Sequence, residues 1–80
     1  MSNKPAPQWP NLQDLIDTAG SISVGYLPPI PCAAVASDED TMYAALVKRP
    51  GETLTDLLDR LDVAVEKAID EQLYTDEINN

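Results

Sequence analysis

A chain of 80 residues and 8.7 kDa has room for one domain, and a domain of that size buries only about 60% of the surface its unfolded chain exposes. Fourteen Asp and Glu stand against five Lys and Arg with no His, a net charge of -9. That balance argues against unaided binding to nucleic acid or an anionic membrane, which both need a positive surface, and points to a basic partner.

Without His there is no Ser-His-Asp or Cys-His nucleophile and no imidazole base. One Cys and no His cannot build a structural zinc site, and one thiol cannot close an intrachain disulfide. The opening MSNKPAPQWPN has no apolar core of a signal peptide, and no unbroken apolar run, Cys32 to Ala36 and Met42 to Val47 included, approaches the length of a membrane span. The expectation is a cytoplasmic protein with no catalytic residues, no cofactor and no metal.

In chain order, residues 1–10 contain three prolines and read as a flexible arm. Trp9 is expected to fold back onto the domain or onto a second subunit. A single domain then spans 11–74, with a polar, frayed tail over 75–80. Asn11 suits an N-cap, and Leu12, Leu15, Ile16 and Ala19 repeat at helical spacing until Gly20, which can close the helix in a left-handed cap. From Ser21 the period becomes two, with Ile22, Val24 and Tyr26 on one side of a half-buried strand. Pro28, Pro29 and Pro31 then force an extended crossing.

Cys32–Ser37 and Thr41–Lys48 bracket the polar turn Ser37-Asp38-Glu39-Asp40 and predict a hairpin. A helix over Thr41–Val47, with acids early and Lys48-Arg49 late, is the competing reading. Pro50-Gly51 breaks the chain. Thr53 and Asp56 form a capping box for a helix from about Leu54 to about Leu73. Its apolar face carries Leu54, Leu57, Leu58, Leu61, Ala64, Val65 and Ala68.

The predicted fold class is α+β: a short N-terminal helix, a small antiparallel sheet of two or three strands, and one long amphipathic helix packed on it. The expected core is Leu15, Ile16, Ile22, Val24, Val35, Leu46, Leu54, Leu57, Leu58, Leu61, Val65 and Ala68. A free strand edge or the open sheet face could pair two copies, which the thin core favours and the charge opposes. The balance leans to a homodimer.

Glu52, Asp56, Asp59, Asp62, Glu66 and Asp70 fall within an arc of roughly 120° beside that apolar face. Asp38, Glu39 and Asp40 add a second acidic cluster, but lack the central Gly and distal Glu of a calcium loop. These nine carboxylates are the candidate partner-binding residues, and a solvated outer face is the plain alternative. Neutralising Asp59, Asp62, Glu66 and Asp70 together is expected to leave the melting temperature equal or higher. A row of carboxylates can imitate the phosphates of DNA, which presents about one charge per 1.7 Å of duplex axis. Cys32 has no basic neighbour in sequence and reads as an inert thiol.

Two resemblances follow from particular stretches. TMYAALVKRPGETLTDLLDRLDVAVEKAI resembles the strand, Pro-Gly turn and helix of HicB-kind antitoxins, through Tyr43, Ala45, Val47, Pro50-Gly51, Thr53 and Leu58. It departs from them in lacking the longer Gly-Cys loop segment and any DNA-binding appendage. The longer run GYLPPIPCAAVASDEDTMYAALVKRPGETLTDLLDRLD, with the ending YTDEIN, resembles small acidic proteins of proteobacterial mobile elements, among them a type I-C anti-CRISPR inhibitor. That second resemblance implies inhibition by binding a Cas subunit and blocking its access to DNA. The first implies an antitoxin-like or regulatory adaptor for a small basic protein.

Overall fold

A computed structural model describes residues 8–79, so most of the proline-rich arm lies outside the described residues. The elements run α1 (Pro10–Asp17), β1 (Ser21–Leu27), β2 (Ile30–Ser37), β3 (Met42–Val47), α2 (Leu54–Glu71) and β4 (Thr75–Asp76). The class is α+β as expected, but the sheet has four strands in the order β1-β2-β3-β4. It is also mixed: β1, β2 and β3 form an antiparallel meander, and β4 runs parallel to β3. The fourth strand comes from the segment expected to fray. Thr75 and Asp76 pair with Ala44 and Ala45, and Glu77 N donates to Ala45 O at 2.8 Å.

The hairpin reading of Thr41–Lys48 holds, since Ala33 to Ser37 pair with Val47 to Met42. A register shift between Ala36 and Ser37 sets three β3 residues against two of β2, so Tyr43 turns to the core while Met42 lines the opposite side. The long helix begins where the capping box put it. Thr53 Oγ1 accepts from Asp56 N at 3.1 Å, and Asp56 Oδ2 accepts from Thr53 N at 3.0 Å. It ends on Gln72, which adopts a left-handed conformation at φ 58°.

Both helices cover one face of the sheet. Leu57, Leu61, Ala64 and Val65 of α2 meet Ala34, Ala36, Ala44 and Leu46 of the strands, and Leu12 and Leu15 of α1 close the cluster. Small alanines let the helix lie close to the sheet. Ile16, Val24 and Leu54, expected in the core, are 49%, 42% and 57% exposed. Leu54 is the first residue of α2, Val24 sits on the edge strand, and α1 turns Leu12 and Leu15 inward in place of Ile16.

The turn after α1 also departs from expectation. Ala19, not Gly20, takes the left-handed conformation, with φ 69°. Gly20 is needed for space, because a Cβ there would overlap the Leu15 side chain and lie 2.8 Å from the Leu15 carbonyl oxygen. Among the described residues no helix is long and apolar enough to cross a membrane.

Candidate functional site

The acidic row on α2 does not survive as one surface. Tertiary packing divides it into carboxylates used inside the molecule and carboxylates left in solvent.

Asp62 is the clearest case of internal use. Only 8% exposed, it is the single buried charged residue among those described. Its Oδ1 accepts from Asn11 N at 2.8 Å and Leu12 N at 3.0 Å, and its Oδ2 accepts from Asn11 Nδ2 at 2.9 Å. These backbone groups belong to the first turn of α1. Its N-cap position is Trp9, which offers no side-chain cap, and Pro10 has no N–H to satisfy. The carboxylate therefore caps α1 from another helix, where it also meets the positive end of the helix dipole. Asn11 is not the N-cap that its residue type suggested. One turn earlier on α2, Asp59 Oδ1 accepts from Trp9 Nε1 at 2.7 Å, which folds Trp9 onto the domain.

Glu52 is engaged on the other side of α2. Arg60 Nε donates to Glu52 Oε2 at 2.6 Å and Arg60 Nη2 to Glu52 Oε1 at 3.0 Å, a bidentate pair. Arg60 also reaches Glu77 Oε2 at 3.1 Å and the Val47 carbonyl at 3.0 Å. Glu77 Oε1 in turn accepts from Val47 N at 2.9 Å. The Arg60 guanidinium, helped by the Arg49 backbone N–H, holds the Glu52 carboxyl down at about 2. The carboxylates around Arg60, Glu52 first, raise its own pKa. One cation thus joins the start of α2, the end of β3 and the C-terminal strand.

Asp38 shapes the β2–β3 turn. Its Oδ1 accepts from Asp40 N and Thr41 N, both at 2.8 Å, and its Oδ2 accepts from Tyr43 Oη at 2.6 Å. The Tyr43 hydroxyl, then those backbone donors, lower the Asp38 pKa, and Asp38 raises that of Tyr43. Asp76 does the same in the C-terminal turn, where donors from Asn79 and then Ile78 lower its pKa.

Of the nine candidate residues, Asp38, Glu52, Asp56 and Asp62 therefore have structural work, and Asp59 has one oxygen committed. Because Asp62 accepts three hydrogen bonds from the first turn of α1, its neutralisation is expected to loosen that helix, against the equal or higher melting temperature expected of the four-site change. Glu39, Asp40, Glu66 and Asp70 are exposed and make no side-chain hydrogen bond or ion pair to the described residues. They are the free acidic surface, joined by exposed Asp14 and Glu71 and by exposed Asp17, whose Oδ1 accepts from Gln13 Nε2 at 3.2 Å. Sequence spacing marked the acids but not the groups that would engage them.

Cys32 is half-buried on the helix side of β2. Strand pairing sets Lys48 and Arg49 beside it, so the absence of a basic neighbour holds in sequence but not in space. The opposite face of the sheet carries a shallow groove of about 410 Å³ floored by Ala33, Val35 and Ala45, with Tyr26 as its only titratable side chain. Among the described residues no three His, Cys, Asp or Glu side chains converge as a metal site requires. No family model matches the chain, and no curated protein or solved structure matches it significantly.

Proposed function

We propose that this protein is a non-catalytic inhibitor that fills a Lys- and Arg-lined DNA-binding groove in a bacterial defence complex. The target the resemblance favours is a Cas subunit of a type I surveillance complex, whose access to DNA would be blocked. The observation that carries this reading is the split among the charged groups. Arg60 is consumed inside the fold, while Glu39, Asp40, Glu66 and Asp70 remain free at the surface of a chain of charge -9. A groove that neutralises phosphates offers Lys and Arg side chains with which such carboxylates can pair in place of DNA. Complementary charge would act chiefly on association rate and on competition with DNA.

The test replaces the free acids only: Glu39→Gln, Asp40→Asn, Glu66→Gln and Asp70→Asn in one variant. Its melting temperature should equal or exceed that of the wild type, because self-repulsion falls. Inhibition of DNA binding by a purified type I-C complex should weaken by orders of magnitude, and added salt should weaken wild-type binding in the same direction. A variant that inhibits at wild-type strength would show that the acids are only a solvated face.

A further inference from the structure

The sheet ends on β1, and no strand among the described residues pairs with its outer edge. The neighbouring ladder shows which backbone groups that edge leaves free. Lys48 N donates to Cys32 O at 3.0 Å, and bonded and open pairs alternate along an antiparallel ladder. Cys32, Ala34 and Ala36 therefore turn their backbone groups to β3, while Ala33, Val35 and Ser37 turn theirs to β1. Those three stand opposite Gly25, Ser23 and Ser21. The register shift near the turn sets Gly25 to Leu27 against Ala33 to Ile30, so the extra residue lies on β2 and alternation along β1 continues. The N–H and C=O groups of Ile22, Val24 and Tyr26 consequently point away from the sheet.

We propose that β1 is the surface through which two copies of this chain pair, antiparallel about a two-fold axis at Val24. Val24 then faces Val24 of the partner subunit, and Ile22 faces Tyr26 of the partner subunit. This register is self-complementary, as an isologous contact must be. It brings every outward-facing residue into a bonded pair, about six backbone hydrogen bonds in all.

The distribution of charge selects a second copy as the occupant. Residues 18 to 37 contain no charged side chain, although the chain as a whole carries -9. Edge strands that avoid pairing usually carry Lys, Pro or an inward charge, and Ser21–Leu27 has none of these. A basic partner would find nothing to recognise along this strand. Two like-charged copies would meet here with the least repulsion. Pairing would also cover Tyr26, 73% exposed, and Val24, 42% exposed.

Sedimentation equilibrium of the full chain across a concentration series tests this. The mass should climb from 8.7 kDa towards twice that value, and sooner in high salt, which screens the repulsion. Val24→Lys and Val24→Pro should each weaken association by an order of magnitude or more with an unchanged circular dichroism spectrum. Proline is tolerable there because the N–H it removes belongs to the free edge. A wild-type chain that keeps the single-chain mass at every concentration in high salt overturns the proposal, even if some other protein's strand binds the edge. So does a dimer indifferent to both substitutions. Should either variant unfold, hydrogen exchange of the wild type decides. Protection of the Ile22, Val24 and Tyr26 amides must rise with concentration, and unchanged protection rejects the pairing.

Discussion

Helix α2 holds both ends of the described chain, and it does so with opposite chemistry on its two sides. Towards the N-terminus, a buried anion, Asp62, takes two backbone N–H groups and one side-chain amide of α1. Towards the C-terminus, a half-buried cation, Arg60, collects Glu52, Glu77 and the Val47 carbonyl. The N-terminal attachment draws on the charge this chain has in excess. The C-terminal one draws on the charge it lacks, and relieves repulsion between Glu52 and Glu77 that would otherwise push β4 away. An acidic composition therefore does not translate directly into an acidic surface, because some of the carboxylates are mortar.

The sharpest way to break this comparison is at Asp62. Asp62→Ala leaves the N–H groups of Asn11 and Leu12 without their acceptor, at a cost of about 2–3 kcal/mol. That is a large fraction of a total stability near 5 kcal/mol for so small a domain. Denaturant unfolding should show the loss. Hydrogen exchange should quicken first at Asn11 and Leu12, and the fluorescence of Trp9, the only Trp, should report the release of α1. Asp62→Asn retains an acceptor oxygen and should lose less. Equal stability for Asp62→Ala would mean that the apolar contacts of Leu12 and Leu15 hold α1 alone.

Arg60→Met comes next, with a smaller global effect, because this network is partly exposed and solvent screens it. Its expected signature is local. Amide protection should fall at Val47 and Glu77 while Asn11 and Leu12 keep theirs. Loss spread evenly over both ends would show one cooperative unit in place of two separate attachments.

Elements governed by local chemistry were legible in the sequence. The Thr53–Asp56 capping box, the face carrying Leu57, Leu61 and Val65, and the hairpin around Asp38–Asp40 all depend on residues within a few positions of one another. The missed features depend on distance in sequence. Nothing in the spacing of α2 says that the first turn of α1 will arrive over Asp62, some 50 residues from its partners. Glu77 likewise looked like part of a frayed end until Arg60 gave it a partner. The core list erred in the other direction. It favoured large side chains such as Ile16 and Leu54 over Ala34, Ala36 and Ala44, whose value is the close approach they permit. For the candidate site, residue type identified the carboxylates, and only their surroundings separated the free from the engaged.

The smallest expected effect concerns the Glu52–Arg60 pair alone, and it appears only in acid. Arg60 depresses the Glu52 carboxyl from 4.5 to about 2 in the folded chain. A carboxyl depressed on folding contributes stability that is complete above its unfolded pKa and is lost as pH falls through the folded one. The Glu52 contribution should therefore be whole above about pH 5 and decline from about pH 4.5 towards pH 2. The wild-type melting curve cannot show this by itself. Protonation of the free acids reduces the -9 self-repulsion over much the same range and pushes stability upward, while Asp38 and Asp76, also depressed, add losses of their own. Comparison with Glu52→Gln cancels those shared effects, because the amide retains an oxygen for Arg60 but does not titrate. The wild type should melt above the variant at pH 7, and the gap should close steadily between about pH 4.5 and pH 2. A gap that stays constant across that window would assign the contact's value to shape and hydrogen bonding. A closing gap would assign it to charge, which is what the scarcity of cations in this chain leads one to expect.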